Sequence, residues 1–350
     1  MSRAVTHQQV ARMRLAALCL AGRSLPTPED VVRHLTCTQS QDWRACRIAL
    51  AARTTERSVQ AVDAAYDAGR IVRSWPVRGT LHTVLATDLR WILALTADRI
   101  RTQYATRLAG LGVDAAQLDG VRDLTRELQR GGAALTRRQL MDAWTAAGLD
   151  VSGQRGAHLL IDLSIDTVIC LGPIRDGVQQ FVLCDDWLPK AQPPPDPVAA
   201  WGRRYLLSHG PAARADFLWW TKLLVREVAP AWEQIVDGLD ELTLDGVSLY
   251  AAPEVVEAGM SRATVAPLLT AAFDEILLGY ADRSATLPAR FADHIVPGGN
   301  GMFRPVVLDG ARAVGTWSAP RKPGAPPRVE LFEGPPSRRL AAARLSTPAR

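Results

Sequence analysis

The sequence predicts an α+β fold: three tandem winged helix-turn-helix units followed by a β-rich C-terminal segment. Three observations support this. Capped runs of helical periodicity fill the first part of each unit. Alternating apolar and polar residues with turn signals close each one. The same order of elements returns at a spacing of roughly 95 residues although the sequences differ, as in a diverged internal repeat.

In the first unit, residues 1–95, a helix covers roughly Thr6 to Ala21 and stops at Gly22. Thr27 caps a second and Pro28 suits its first turn. A third runs from about Asp42 to Arg53, with Ala45, Ile48, Ala49 and Ala52 on one face, and a fourth from about Glu56 to Ala68. Strands at Arg70–Trp75 and Thr80–Leu85 flank a turn near Pro76–Gly79. The second unit, 96–192, has helices at about Ala115–Gln129, Thr136–Ala147 and Ser152–Ser164, then strands Thr167–Leu171 and Val178–Cys184. Pro193-Pro194-Pro195 marks a linker. The third unit, 193–255, places helices near Pro197–Ser208, Ala213–Trp220 and Lys222–Ile235 before strands Glu241–Leu244 and Val247–Ala251. Residues 256–350 read as a helix near Thr264–Phe273, a Gly-rich hairpin at Pro297–Arg304, a second hairpin at Val306–Trp317 and a Pro- and Arg-rich tail from Arg321.

Composition bounds the function class. A hydrophobic share of 47% and a charged share of 22% are those of a globular protein. No uncharged apolar run reaches the length of a transmembrane helix, and the N-terminus lacks a signal peptide's apolar stretch. A cytoplasmic location with no membrane partner is expected. Cys19, Cys37, Cys46, Cys170 and Cys184 form no Cys-x-x-Cys pair and fall mostly in apolar patterns, which predicts buried free thiols. The six histidines lack metal-ligand spacing, so neither metal nor cofactor is expected. The net charge of +5 is compatible with a nucleic-acid partner. Of the 41 basic residues 38 are Arg, a bias that suggests a G+C-rich genome and weakens Arg content as a sign of phosphate binding. No heptad segment suggests a dimer, so a monomer is expected.

Tandem winged helices point to DNA, since their third helix and wing commonly contact it. The chemistry centres on Thr38-Gln39-Ser40-Gln41-Asp42-Trp43. In an extended segment Gln39 and Gln41 point to one side, and two neutral amides aimed at one point can hold a water or a polar ligand. They are poor general bases. Asp42 competes for that role but stands where a helix N-cap belongs. Asp274-Glu275 and the pair Asp282-Arg283 read as structural, and Trp219-Trp220 as core.

Several segments together resemble the winged-helix DNA glycosylase family, AlkZ-like, in its Gln-x-Gln branch. They are Thr38–Asp42, Trp75–His82, Gly210–Ala212, Asp216–Trp220, Asp274–Tyr280, Asp282-Arg283 and Pro297–Pro305. The resemblance spans nearly the whole chain. It implies three winged helices in a C-shaped arrangement around double-stranded DNA carrying an alkylated purine. It also implies excision of N7-alkylated purines, bulky adducts among them, in repair or in self-resistance to DNA-alkylating antibiotics. Gln39 and Gln41 fall on the family's catalytic motif. The alternative is a non-enzymatic winged-helix DNA-binding protein or regulator, and a weaker one a protein that shields lesions without cutting.

The expected DNA contacts are Arg73, Arg78 and His82 on the first wing, and Asn300, Phe303 and Arg304 in the Gly-rich loop. A wing arginine reaches a backbone phosphate or the minor groove. For Arg78 and His82, a salt bridge and a hydrogen-bonded structural histidine are the competing readings.

Overall fold

Helix His7–Ala17 starts at Thr6, whose side chain accepts from the Gln9 N–H while the Gln9 side chain returns to the Thr6 backbone. The same logic starts Pro28–Leu35 at Thr27 and Trp43–Ala52 at Asp42. Between the last two lies a buried strand, Cys37–Gln39. The computed structural model describes residues 3–261, 265–320, 322, 325–343, 345 and 347. Its mixture of helices and mainly antiparallel sheets is α+β.

The chain divides into two units, Met1–Val62 with Val198–Arg350, and Asp63–Pro197. Two contacts tie the N-terminus to the C-terminal half of the first unit. Arg3–Ala4 pairs in parallel with Asp240–Leu244, with Arg3 opposite Leu242, and Val247–Ala251 completes the sheet. Helix His7–Ala17 packs on Pro253–Met260, and Gly259 sits at the crossing. A Cβ there would stand 2.1 Å from Met13 Cγ, so a larger residue would push the helices apart. Neither partner segment is near in sequence, which is why this closure was not anticipated.

Helices Pro197–His209 and Arg214–Thr221 fall where periodicity placed them. The helix expected over Lys222–Ile235 is broken into Val225–Val228, a 3₁₀ turn at Ala229–Ala231 and Trp232–Val236. Lys222 takes a left-handed φ of 61°, which ends the preceding helix, and Pro230 offers no N–H to continue the next. The C-terminal segment forms an antiparallel sheet of Arg328–Leu331, Arg312–Ser318, Val306–Asp309 and Leu268–Leu269, in that order. Leu269, Val307, Trp317 and Leu340 form its core. The expected helix at Thr264–Phe273 is absent among the described residues, because Leu268 and Leu269 pair with Leu308 and Val307 instead. Thr264 itself lies outside the described residues, as does Arg321 at the start of the tail.

The second unit holds two hairpins, Ile71–Val77 with Thr80–Leu85 and Ile169–Arg175 with Val178–Leu183. They meet at Arg73 and Leu171 in an antiparallel pairing. The turns use Arg78-Gly79 and Asp176-Gly177, all with positive φ, as tight two-residue turns between twisted strands require. Four helices flank the hairpins: Leu89–Gly110, Ala115–Leu128, Arg137–Ala146 and Arg155–Ile165. The first of these is 22 residues long and was missed in sequence, because its buried positions stop at Ile100 and the remainder carries no apolar stripe. Trp144 and Val121 anchor the core. All five cysteines are free and buried. Among the described residues, no helix is long and apolar enough to cross a membrane.

Candidate active site

Gln39 ends its strand and Gln41 does not continue it. Gln39 is 8% exposed, whereas Gln41 is open to solvent. The hydrogen-bonded strand therefore stops short of Gln41. Instead the side-chain oxygen of Gln39 accepts from the backbone N–H of Gln41 at 3.3 Å. That oxygen keeps a second lone pair, and the Gln39 NH₂ adds two donors. Asp42 is the N-cap of Trp43–Ala52, its Oδ1 accepting from the Ala45 N–H at 2.9 Å. The pair thus stands immediately ahead of a ten-residue helix, whose first turn presents positive dipole. An apolar cleft of about 580 Å³ opens beside this helix, lined by Asp42, Ala45, Ile48, Ala271 and Trp317 among others.

Behind Gln39 lies a buried polar cluster. The backbone N–H of Gln39 faces Glu275 Oε1 at 3.4 Å. Glu275 Oε2 accepts from Trp220 Nε1 at 3.0 Å and stands 3.4 Å from His209 Nε2. Its neighbour Asp274 forms a bidentate ion pair with Arg53 at 2.8 and 3.0 Å, both side chains being almost fully buried. Arg53 also donates to the Leu18 and Ala49 carbonyls, so its guanidinium links two helices to the segment before Glu275. Arg14 lies 3.7 Å over the Tyr280 ring and 3.9 Å from Asp216. Burial pushes the Tyr205 and Tyr280 phenols up, so both remain neutral donors, to Gly279 O and His209 O. His34 is held down at about 4 by burial. Asp274, Glu275 and Trp220 are all buried.

The expected DNA contacts separate on exposure. Arg78 sits half-buried at the hairpin turn with φ +55°. Gly79 beside it accepts from the Tyr104 hydroxyl at 2.6 Å, and a Cβ on Gly79 would meet that oxygen at 2.8 Å. Arg73 is half-buried and donates to Gln179 Oε1 at 3.2 Å. His82 is a correction: it is fully buried, with Nδ1 2.9 Å from the Thr80 carbonyl, because its strand position faces the packed side of the hairpin.

In the Gly-rich loop the expected hairpin is replaced by a 3₁₀ turn at Pro297–Gly299. The Asn300 side chain caps Met302 N at 2.9 Å, and Asn300 and Arg304 are exposed. Phe303 is half-buried, 6.3 Å from Phe273. Asp282 accepts from Ser284 N and Oγ, and the Arg283 guanidinium lies 5.1 and 5.2 Å from the Trp219 and Phe303 rings.

The family model described as DNA glycosylase AlkZ-like matches residues 32–345, and the chain belongs to that family. It is therefore an enzyme with DNA as its substrate, and the reading of a non-enzymatic regulator is set aside. The chain is 28% identical over 327 residues to the interstrand DNA cross-link repair glycosylase of Streptomyces sahachiroi, covering 89% of this chain and 87% of that protein. It shares the fold of Streptomyces sahachiroi DNA glycosylase AlkZ with a TM-score of 0.77, at 22% identity, over 95% of this chain and 92% of that one.

Proposed function

We propose that this chain is a monofunctional glycosylase that hydrolyses the N-glycosidic bond of N7-alkylated guanine or adenine in double-stranded DNA. It acts as a monomer in the cytoplasm, without metal or cofactor. The segments 1–95, 96–192 and 193–255 are three tandem winged helices that engage the duplex, and 256–350 adds a fourth contact. Arg73, Arg78, Asn300, Phe303 and Arg304 touch the DNA.

The chemistry follows from the leaving group. Glycosyl transfer builds positive charge on the sugar while the base departs. An unmodified purine leaves as an anion and needs a general acid, a contribution of about 10²–10⁴-fold. A purine alkylated at N7 is already cationic and leaves neutral, so that acid is dispensable. What remains is to place a water and to stabilise the sugar cation, and the partial negative charges of the Gln39 and Gln41 carbonyls suit both tasks. Weak catalysis of this kind selects for substrates that are already activated.

The observation that carries this reading is the commitment of Asp42. The carboxylate nearest the pair in sequence is bonded to Ala45 N as a helix cap, which leaves the two amides as the reactive groups of the motif. The name of the Streptomyces sahachiroi relative, an interstrand DNA cross-link repair glycosylase, supports extending the substrate to cross-linked DNA.

The test is single-turnover excision from a duplex carrying one N7-methylguanine or one bulky N7 adduct, with abasic sites read by alkaline cleavage. Gln39→Ala and Gln41→Ala are each expected to slow excision by roughly 10²-fold at unchanged DNA affinity. Full excision by both variants would remove the proposed role. Borohydride trapping of a covalent adduct would contradict the monofunctional mechanism.

A further inference from the structure

We infer that Glu275 is a positioning residue for the glycosylase reaction, setting the orientation of Gln39 from behind. The inference rests on the assignment of Gln39 as catalytic and goes beyond the Gln-x-Gln motif. Glu275 is 1% exposed, and its two carboxylate oxygens are divided between two tasks. Oε2 is gripped from the core, by the Trp220 indole N–H at 3.0 Å and by His209 Nε2 at 3.4 Å. Oε1 faces outward and receives the Gln39 backbone N–H at 3.4 Å. The carboxylate is thus a bridge between a rigid aromatic cluster and the last residue of the strand that carries the amide.

That cluster is well braced. His209 stacks on Tyr205 at 4.6 Å, and its Nδ1 lies 2.8 Å from the Ser208 hydroxyl. Gly279 leaves room for the imidazole, because a Cβ there would lie 2.4 Å from His209 Cδ2. Glu275 is itself fixed at the start of helix Glu275–Leu278, which Asp274 caps while paired to Arg53. The amide of Gln39 works by aiming a partial charge, and a misplacement of about 1 Å is enough to cost on the order of 100-fold in rate. The strand is only three residues long and supplies little rigidity of its own. The carboxylate fixes its end.

Glu275→Gln is nearly isosteric but offers one acceptor oxygen where two are needed. Whichever way the amide turns, an N–H is set against an N–H donor, either that of Gln39 or those of the core. The experiment is a double-mutant cycle in single-turnover excision of N7-methylguanine, with DNA affinity and thermal melting measured beside it. Glu275→Gln is expected to slow excision by about 10- to 100-fold at unchanged DNA affinity, and to slow Gln39→Ala no further. Gln39→Ala keeps the backbone N–H but leaves no side chain to aim, so masking in that background is what a merely structural role would not produce. Should Glu275→Gln fail to fold, Trp220→Phe carries the same cycle: it frees one side of the carboxylate while keeping an aromatic core residue. A smaller loss, again masked by Gln39→Ala, is expected.

Slowing of equal size in both backgrounds overturns the inference, as does a normal rate in a folded Glu275→Gln enzyme. If Gln39→Ala alone excises normally, the catalytic assignment of Gln39 fails and this inference with it. If Gln39→Ala is slow while Glu275→Gln and Trp220→Phe are normal, only the positioning role of Glu275 is lost.

Discussion

The side-chain oxygen of Gln39 lies 3.3 Å from the backbone nitrogen of Gln41, so the first glutamine folds over the main chain of the second. The two residues of the motif are consequently unequal: one is buried in a local hydrogen bond, and the other is exposed. Gln39→Ala is expected to lower stability as well as rate, by about 1 kcal/mol for the lost bond. Gln41→Ala keeps the backbone donor of that bond and should lower the rate by a similar factor. Urea unfolding of both variants, beside their excision rates, checks this asymmetry.

Asp42 is committed to the helix start through its bond to the Ala45 N–H. Asp42→Ala should destabilise by about 1 kcal/mol, and Asp42→Ser should recover most of that. Excision by folded Asp42→Ser enzyme is expected near wild type. A rate loss of the order expected for a missing general base, about 10²-fold or more, would instead assign the carboxylate to catalysis.

The Arg53–Asp274 pair is buried on both sides, so its value depends on keeping both partners. Arg53→Met leaves the Asp274 charge without its bidentate partner in the core and should cost about 3–5 kcal/mol. Replacing both residues, as Arg53→Met with Asp274→Leu, should recover part of the loss. Chemical denaturation of the single and double variants measures the difference.

His34 provides a pH signature. Its Nε2 donates to the Ala17 carbonyl at 2.6 Å, and burial, with Arg23 nearby, lowers its pKa from 6.5 to about 4. The unfolded chain therefore binds a proton there before the folded chain does. The stability due to neutral His34 is complete above pH 6.5 and is lost as the pH falls toward 4. The expected slope in that window is about 1.4 kcal/mol per pH unit. Stability followed from pH 7.5 down to 4.5 should show this slope in wild type and a shallower one in His34→Gln.

Much of the fold was legible because it is local. Thr6, Thr27, Asp42 and Thr136 cap helices through bonds to residues three positions on, and such bonds need nothing but the sequence nearby. The hairpins of the second unit likewise follow from alternation and from the turn residues Arg78-Gly79 and Asp176-Gly177. The motif and its family were readable from side-chain identity alone.

Where local signals were weak, the reading failed. Leu268-Leu269 looks helical in isolation and becomes a strand because Val307 and Leu308 offer it backbone partners. Of the two readings of His82, its burial and its contact with the Thr80 carbonyl favour the hydrogen-bonded structural histidine.

The sequence by itself determined the α+β class, the helix starts, the Gln39–Gln41 pair and membership of the glycosylase family. Only the tertiary structure decided that Arg3–Ala4 joins a hairpin 239 residues away in the chain's C-terminal half, as the pairing of Ala4 with Thr243 and Arg3 with Leu242 requires. It also decided that Glu275 comes to lie behind Gln39. Helix caps and turns are set by interactions within a few residues, which a sequence displays directly. The support of Gln39 depends on partners from distant segments, brought together when burying their shared apolar surroundings leaves each donor needing an acceptor.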